Sequence, residues 1–199
     1  MRTVNPEQHA RKRQAIIEAA AVEFALNGVD GASTAAICRR AGIGSGTLFH
    51  YFPTKNDIFH ALFEIDLVRN AAGCREALEQ PAATGLWQVV DLLVTDLGDP
   101  LVPGLLAAAL LQVNRDPAFA AMLAEDEAVV RATLTKLLQR MVDDGVSLPF
   151  PPPRTARWIQ HLVDACFFAA GDEDYDAAVT LSELRTMIAW LAGGQPGPS

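Results

Sequence analysis

Cysteine is scarce in this 199-residue chain, long apolar runs are missing, and positive charge is outnumbered by negative. The three cysteines, Cys38, Cys74 and Cys166, are odd in number, widely spaced and free of any CxxC or Cys/His clustering. That pattern argues against a zinc site or a disulfide framework and leaves buried, reduced thiols. The longest uninterrupted apolar run, Leu105 to Leu111, is too short to cross a bilayer. Met1 to Gln14 is polar and basic with no apolar signal segment behind it, so a cytoplasmic location without membrane contact is expected. A net charge of −8 argues at first against a polyanionic partner, because a surface that grips nucleic acid needs lysine and arginine against the phosphates.

The distribution of charge weakens that last argument. Residues 1–60 hold seven Lys/Arg against five acids, a net of +2, and the remainder therefore carries −10. Such asymmetry fits one segment that touches a polyanion and another that does not. Half of the residues are hydrophobic, enough for a sizeable core.

Periodicity predicts an all-α fold. Ile16, Ala20 and Phe24 share one stripe of a helix from Pro6 to Leu26, stopped by Asn27-Gly28. After Asp30-Gly31, Ser33 and Thr34 offer hydroxyls to cap a short helix through Ile37 to Ala41 that ends at Gly42. Ser45 is read as the cap of a second short helix, Gly46 to Phe52, which Pro53 ends. A long helix should run from Lys55 to about Leu78, then a broken region from Pro81 to Gly85 and a helix from Trp87 to Leu97. Leu101 to Val113, almost wholly apolar, is expected as a buried helix, and Phe119 to Val142 as a long periodic one. Pro149 to Pro153 reads as a rigid connector, Thr155 to Ala170 and Tyr175 to Leu191 as the last two helices, and the tail from Gly193 as disordered. The expected division is a head of residues 1–54 and a helical domain of residues 55–199.

Two short helices around a glycine-containing turn are what a helix-turn-helix reader requires, one helix bracing and the other entering the major groove. At 100° per residue, Gly46, His50, Thr47 and Tyr51 fall within about 140° of one another, while Leu48 and Phe52 point the other way. The polar face can offer a hydroxyl, a phenol and an imidazole to phosphates and base edges, with Gly46 allowing close backbone approach. Lys55 sits just past this helix, where an ammonium could reach the duplex backbone.

The segment Thr34 to Phe59, TAAICRRAGIGSGTLFHYFPTKNDIF, closely resembles the signature of the TetR family of transcriptional regulators, T-x-x-I-A-x-x-A-G-V-S-x-G-x-L-Y-x-Y-F-x-x-K-x-x-L. The likeness extends back through Phe24, Ala25, Gly28, Gly31, Ala32 and Ser33, and beyond the head only the helix layout matches. The resemblance implies that Thr34, Thr47, Tyr51 and Lys55 contact phosphates, that Ser45, Gly46 and His50 lie nearest the bases, and that Arg40 sits near the backbone. Phe49 departs from the pattern, standing where the family usually has tyrosine, so one phosphate contact is absent.

An enzyme is disfavoured. Gly42-x-Gly44-x-Gly46 fits neither GxGxxG nor GxxxxGK[ST], Ile43 occupies the first position of a GxSxG elbow, and no cofactor is implied. His9, His50, His60 and His161 lack metal spacing, and His161 is read as a helix-packing residue. A helical scaffold without DNA affinity is the other alternative, separable by sequence-selective DNA binding.

One helix-turn-helix reads few base pairs, so a homodimer on a palindromic operator of double-stranded DNA is expected. Trp158, Leu162, Ala165 and Ala169 form one stripe of the penultimate helix. Ala177, Leu181, Leu184, Ile188 and Leu191 repeat at helix-seam spacing in the last. The interface is placed on Trp158, Leu162, Ala165, Ala169, Leu181, Leu184 and Ile188, the resemblance implying a four-helix contact. The resemblance also implies an unknown small-molecule effector inside the helical domain that releases the protein from DNA. Candidate walls are Leu62, Phe63, Asp66 and Trp87, then Leu105, Gln112, Met122 and Phe167. Paired acids and apolar walls favour a neutral or cationic hydrophobic compound.

Overall fold

A computed structural model describes residues 6–194, and among them every regular element is an α-helix. The end of the Gly/Pro-rich tail, residues 195–199, lies outside the described residues.

The head is built by caps at short range. α1 spans Pro6–Gly31, and its backbone leaves helical values at Gly28 (φ 64°, ψ 175°). The expected stop at Asn27-Gly28 is therefore a kink, after which one more turn runs to Gly31. α2 spans Thr34–Ala41; Ser33 Oγ accepts the Ala36 amide at 3.0 Å, and Gly42 closes the helix at φ 67°, ψ 34°, a left-handed conformation suited to glycine. α3 spans Ser45–Tyr51. Its cap is Gly44, with no side-chain bond, so Ser45 is the first helical residue and not the cap expected from its hydroxyl. Thr54 Oγ1 accepts the Asp57 amide at 3.1 Å while Asp57 Oδ2 accepts the Thr54 amide at 2.8 Å, a capping box that opens α4, Lys55–Leu78.

The remaining helices are α5 (Ala82–Leu93), α6 (Val102–Val113), α7 (Pro117–Asp143), α8 (Pro152–Ala169) and α9 (Ala177–Leu191). α5 starts well before the expected Trp87. Gly85 does not break it but lets it approach the end of α4, since a Cβ there would collide with the Ala77 carbonyl. α6 is not the buried helix its composition suggested: Ala108, Ala109 and Gln112 are buried, but Leu110 and Leu111 are 46% and 56% exposed. Pro151 caps α8, whose first turn accommodates proline because its amides need no intrahelical partner. Asp176 caps α9 through the amides of Ala178 and Val179.

The chain divides into two compact units. One comprises residues up to Asp66 with Pro103–Ala120; the other comprises Leu67–Val102 with residues from Ala121 on. The first is centred on Ile16, Phe24, Ile37, Leu48 and Phe59, all at most 1% exposed, with the Phe24 and Phe59 rings edge-on at 5.3 Å. The second is centred on Leu86, Val90, Leu134, Leu137, Leu138 and Ile159, none of them exposed at all. Among the described residues no helix is long and apolar enough to cross a membrane.

Candidate nucleic-acid interface

α3 folds with one face committed to the core. Leu48 is fully buried and Phe52 is 3% exposed, each burial contributing roughly 1.5–3 kcal/mol, and this fixes the rotation of the helix about its axis. The opposite face is left outward: Ser45, Gly46 and His50 are exposed, and Thr47 and Tyr51 are half-buried. The Tyr51 ring is held between two imidazoles, His9 from α1 at 4.5 Å and His50 at 5.5 Å. His9 is a member of this face that sequence spacing did not single out. Phe49 is 49% exposed, leaving an apolar ring beside these polar groups.

Thr34, half-buried, begins α2 directly after its Ser33 cap. Arg40 at the other end of α2 is tied back to α1, its Nε and Nη2 donating to Glu23 Oε1 at 3.3 and 3.1 Å. The pair fixes the guanidinium against α1 while 44% of the Arg40 side chain stays exposed.

Lys55 is placed differently from the expectation. Its Nζ donates to the carbonyls of Val29 at 2.8 Å, Asp30 at 3.1 Å and Ala32 at 2.7 Å. An ammonium has three hydrogens, and all three are used. The kink at Gly28 strands these carbonyls beyond the last regular turn of α1, and Lys55 closes them. These bonds give Lys55 a structural role that pins the start of α4 to the end of α1.

The turn between α6 and α7 is fastened to the same unit. Arg115 pairs with Asp30 at 2.5 Å, and Asp116 Oδ2 lies 2.7 Å from His60 Nε2. Asp116 Oδ1 also accepts the Ala118 and Phe119 amides at 3.1 Å, capping α7. The Phe119 amide, followed by the bond to His60, holds this carboxyl below its ordinary range.

The expected ligand-wall residues fall into different units. Leu62, Phe63, Asp66, Leu105 and Gln112 belong to the first, where Phe63 packs on Phe59 and Phe119 at 5.0 and 5.1 Å. Trp87, Met122 and Phe167 belong to the second, with Trp87 and Phe167 packed against its core. Within the second unit, α5, α7 and α8 enclose a different cavity of about 130 Å³, lined by Leu93, Asp126, Val130, His161, Val163 and Asp164 among others. His161 is thus a cavity-facing residue with 59% of its side chain exposed, not a helix-packing one.

Of the expected interface residues, Trp158 is 44% exposed, Ala165 is exposed, and Leu162, Ala169 and Leu181 are half-buried. Leu184 and Ile188 are 0% exposed and belong to the core of their own unit, so they cannot face a second chain. The seam spacing of α9 identified its inner face. The outer face carries Met187 and Trp190, 42% and 44% exposed, which with Phe150, Trp158 and Leu162 line an apolar cleft of about 450 Å³.

Residues 16–62 match the model of the bacterial regulatory proteins of the tetR family. Over these residues the chain is a TetR-family DNA-binding head. TetR-family proteins are regulators and not enzymes. The transcriptional regulator UidR of Escherichia coli K12 is 39% identical over 67 residues, which is 34% of this chain and 34% of UidR. The chain thus spans about a third of the length of the first curated relatives it matches. The transcriptional repressor AcnR of Corynebacterium glutamicum is 29% identical over 142 residues, 70% of each chain. In fold, a TetR regulator from Haloarcula marismortui superposes with a TM-score of 0.77 at 19% identity, covering 92% of this chain and 97% of that one. The TetR-type head explains why α2 and α3 are braced so closely. Glu23, Lys55 and Gly42 hold two short helices that would be unstable alone.

Proposed function

We propose that this protein is a homodimeric cytoplasmic repressor that reads a palindromic DNA operator through α2 and α3 and is released by a small hydrophobic effector. The observation that carries the reading is the outward polar face of α3, fixed in rotation by the buried Leu48 and Phe52, with the His9 ring tilted against Tyr51 at 4.5 Å. In this reading Ser45, Gly46 and His50 approach the bases, and Thr34, Thr47 and Tyr51 contact phosphates. Arg40, braced by Glu23, faces the backbone. Lys55 supports the face from behind. Residues 1–54 form the reading head and residues 55–199 the domain that dimerises and binds the effector.

Dimerisation uses the outer faces of α8 and α9, with Trp158, Leu162, Met187 and Trp190 at the centre and Ala165 and Ala169 allowing close helix approach. Two exposed tryptophans around one apolar cleft are what an interface, and not a solvated surface, requires. An effector shifts the operator equilibrium by no more than its differential affinity for the DNA-bound and released states. The test is selection of bound duplexes from a random pool followed by fluorescence anisotropy on the winner and its scramble. Sequence-selective binding by a dimer of the 21.4 kDa chain supports the proposal, and equal affinity for both duplexes refutes it.

A further inference from the structure

We propose that His9 of α1 is a further contact of the DNA face, a side chain that Tyr51 orients and that, once protonated, pairs with a backbone phosphate and makes DNA binding proton-linked. The inference rests on the reading of α2 and α3 as the DNA-binding helices, and adds to it a contact from α1 and a dependence on pH.

The geometry follows from the stripe that α1 commits to the core. Ile16 is fully buried, and His9 stands about two turns before it on the same side of the helix. Beyond the core this stripe meets the end of α3 over two successive turns. The Arg13 guanidinium lies over the Phe52 ring at 5.1 Å, and the His9 ring meets the Tyr51 ring at 4.5 Å, tilted by 39°. His50 stands edge-on to the same Tyr51 ring at 5.5 Å. Phe52 is buried and Tyr51 half-buried, whereas His9 and His50 are exposed. His9 is thus held by a ring contact on one side and open to solvent on the other.

Charge is what the recognition helix lacks. α3, SGTLFHY, contains no lysine or arginine. The cations that flank it in sequence are committed within the head, Lys55 to the carbonyls of Val29, Asp30 and Ala32 and Arg40 to Glu23 at 3.1 Å. A phosphate backbone is gripped chiefly by positive charge, and imidazole is the side chain that gains charge near neutral pH. The charged groups around His9 can be named. Lys12 and Arg13 stand one turn further along α1, Glu7 pairs with Arg11 at 4.0 Å, and Glu64 of α4 reaches Arg13 at 3.9 Å. α3 contributes His50 and the Tyr51 phenol. A phosphate brought beside His9 favours the imidazolium, whose N–H groups donate to the phosphate oxygens. The complex then binds more protons than the free head, so affinity rises as pH falls.

The test uses the full-length protein and two duplexes, one selected from a random pool and its scramble, with fluorescence anisotropy from about pH 6 to about pH 8 at constant ionic strength. Wild-type affinity for both duplexes should rise at least ~3-fold per head from the alkaline to the acid end. His9→Gln, polar but unable to gain charge, should cut that rise by at least ~3-fold per head and lower the salt slope at the acid end by about 0.9 per head. His9→Arg, permanently charged, should bind at alkaline pH as tightly as the wild type does at acid pH. Both variants should melt within about 2 °C of the wild type, because the position is exposed. Parallel pH profiles for wild type and His9→Gln overturn the proposal whatever the change in overall affinity, since a merely structural contact would give that result. It is equally overturned if His9→Arg binds no more tightly than His9→Gln at alkaline pH. Confinement of the His9→Gln effect to the selected duplex also overturns it, because a phosphate contact carries no sequence information. Selectivity on the same samples separates the two readings. Equal wild-type affinity for the two duplexes sinks the operator reading, while selective binding that does not change with pH sinks only the His9 contact.

Discussion

Lys55 offers the sharpest discrimination between a residue that touches DNA and one that holds the head together. Replacing it by alanine leaves the carbonyls of Val29, Asp30 and Ala32 without their donor. The Asp30 bond is exposed, and water can replace it at little cost. The bonds to Val29 and Ala32 are part-buried, and those residues are 4% and 2% exposed. Two charge-assisted bonds at the low end of their range, ~1.5 kcal/mol each, make the expected loss ~3 kcal/mol. For a chain of this size that lowers the melting midpoint by roughly 6–12 °C. Thermal or urea unfolding of wild type and Lys55→Ala measures it directly. Operator affinity across a salt series supplies the opposing measurement, since a lysine that neutralises a phosphate contributes a salt slope of about 0.9 per head. The expected result is a lower midpoint with an unchanged slope. A midpoint within about 1 °C of wild type together with a slope reduced by about one per head would refute the capping assignment.

Other outcomes follow from the same geometry. His50→Ala should cost ~1–3 kcal/mol at one base pair of each half-site and relax selectivity there; a uniform loss on operator and scrambled duplexes would mean that α3 is rotated differently on DNA. Trp190→Glu places a charge in the apolar cleft of α8 and α9, and sedimentation should then show a 21.4 kDa species where the wild type shows its dimer. Gly104→Ala drives a Cβ into the Ala25 carbonyl, a backbone clash that no rotamer relieves, and should cost ~1–3 kcal/mol in urea unfolding, whereas Gly46→Ala, with open space around it, should not. The depressed Asp116 carboxyl contributes stability that is complete above its unfolded value of ~3.9 and is lost as pH falls through the lower folded value; Asp116→Asn should therefore flatten the acid limb of a melting-temperature profile, and an unchanged limb would contradict the assignment.

How much of this was legible in the sequence depended on range. Caps written within a few residues of one another were readable: Ser33, Gly42 and the stop before Pro53 bound α2 and α3 where the spacing put them. Signals that depend on distant packing misled. Gly85 read as a breaker because a lone glycine usually weakens a helix, yet here it permits contact with Ala77. The uniform apolarity of α6 gave no phase, and Leu110 and Leu111 turned outward. Lys55 stood at the right distance from α3 for a phosphate, but its partners lie 23 to 26 residues upstream. Leu93, Asp126 and Asp164 come from three helices and form no local motif, so the cavity they line could only be seen once α5, α7 and α8 were folded.

The acidic surplus beyond residue 60 looks uniform as a number, but its members stand in different physical positions. Asp116 and Asp176 accept the first amides of α7 and α9, where the positive end of a helix favours a carboxylate. Asp96 and Asp91 answer arginines, Arg69 and Arg185. These charges are stabilised by what surrounds them, and each has a structural reason to be acidic. Asp126 differs in sign, for burial and a neighbouring glutamate oppose its ionisation and one amide is the main direct support. Its ionised form therefore bears a larger desolvation cost than the capping and arginine-paired carboxylates, offset in part by the Asn70 bond and by Arg69.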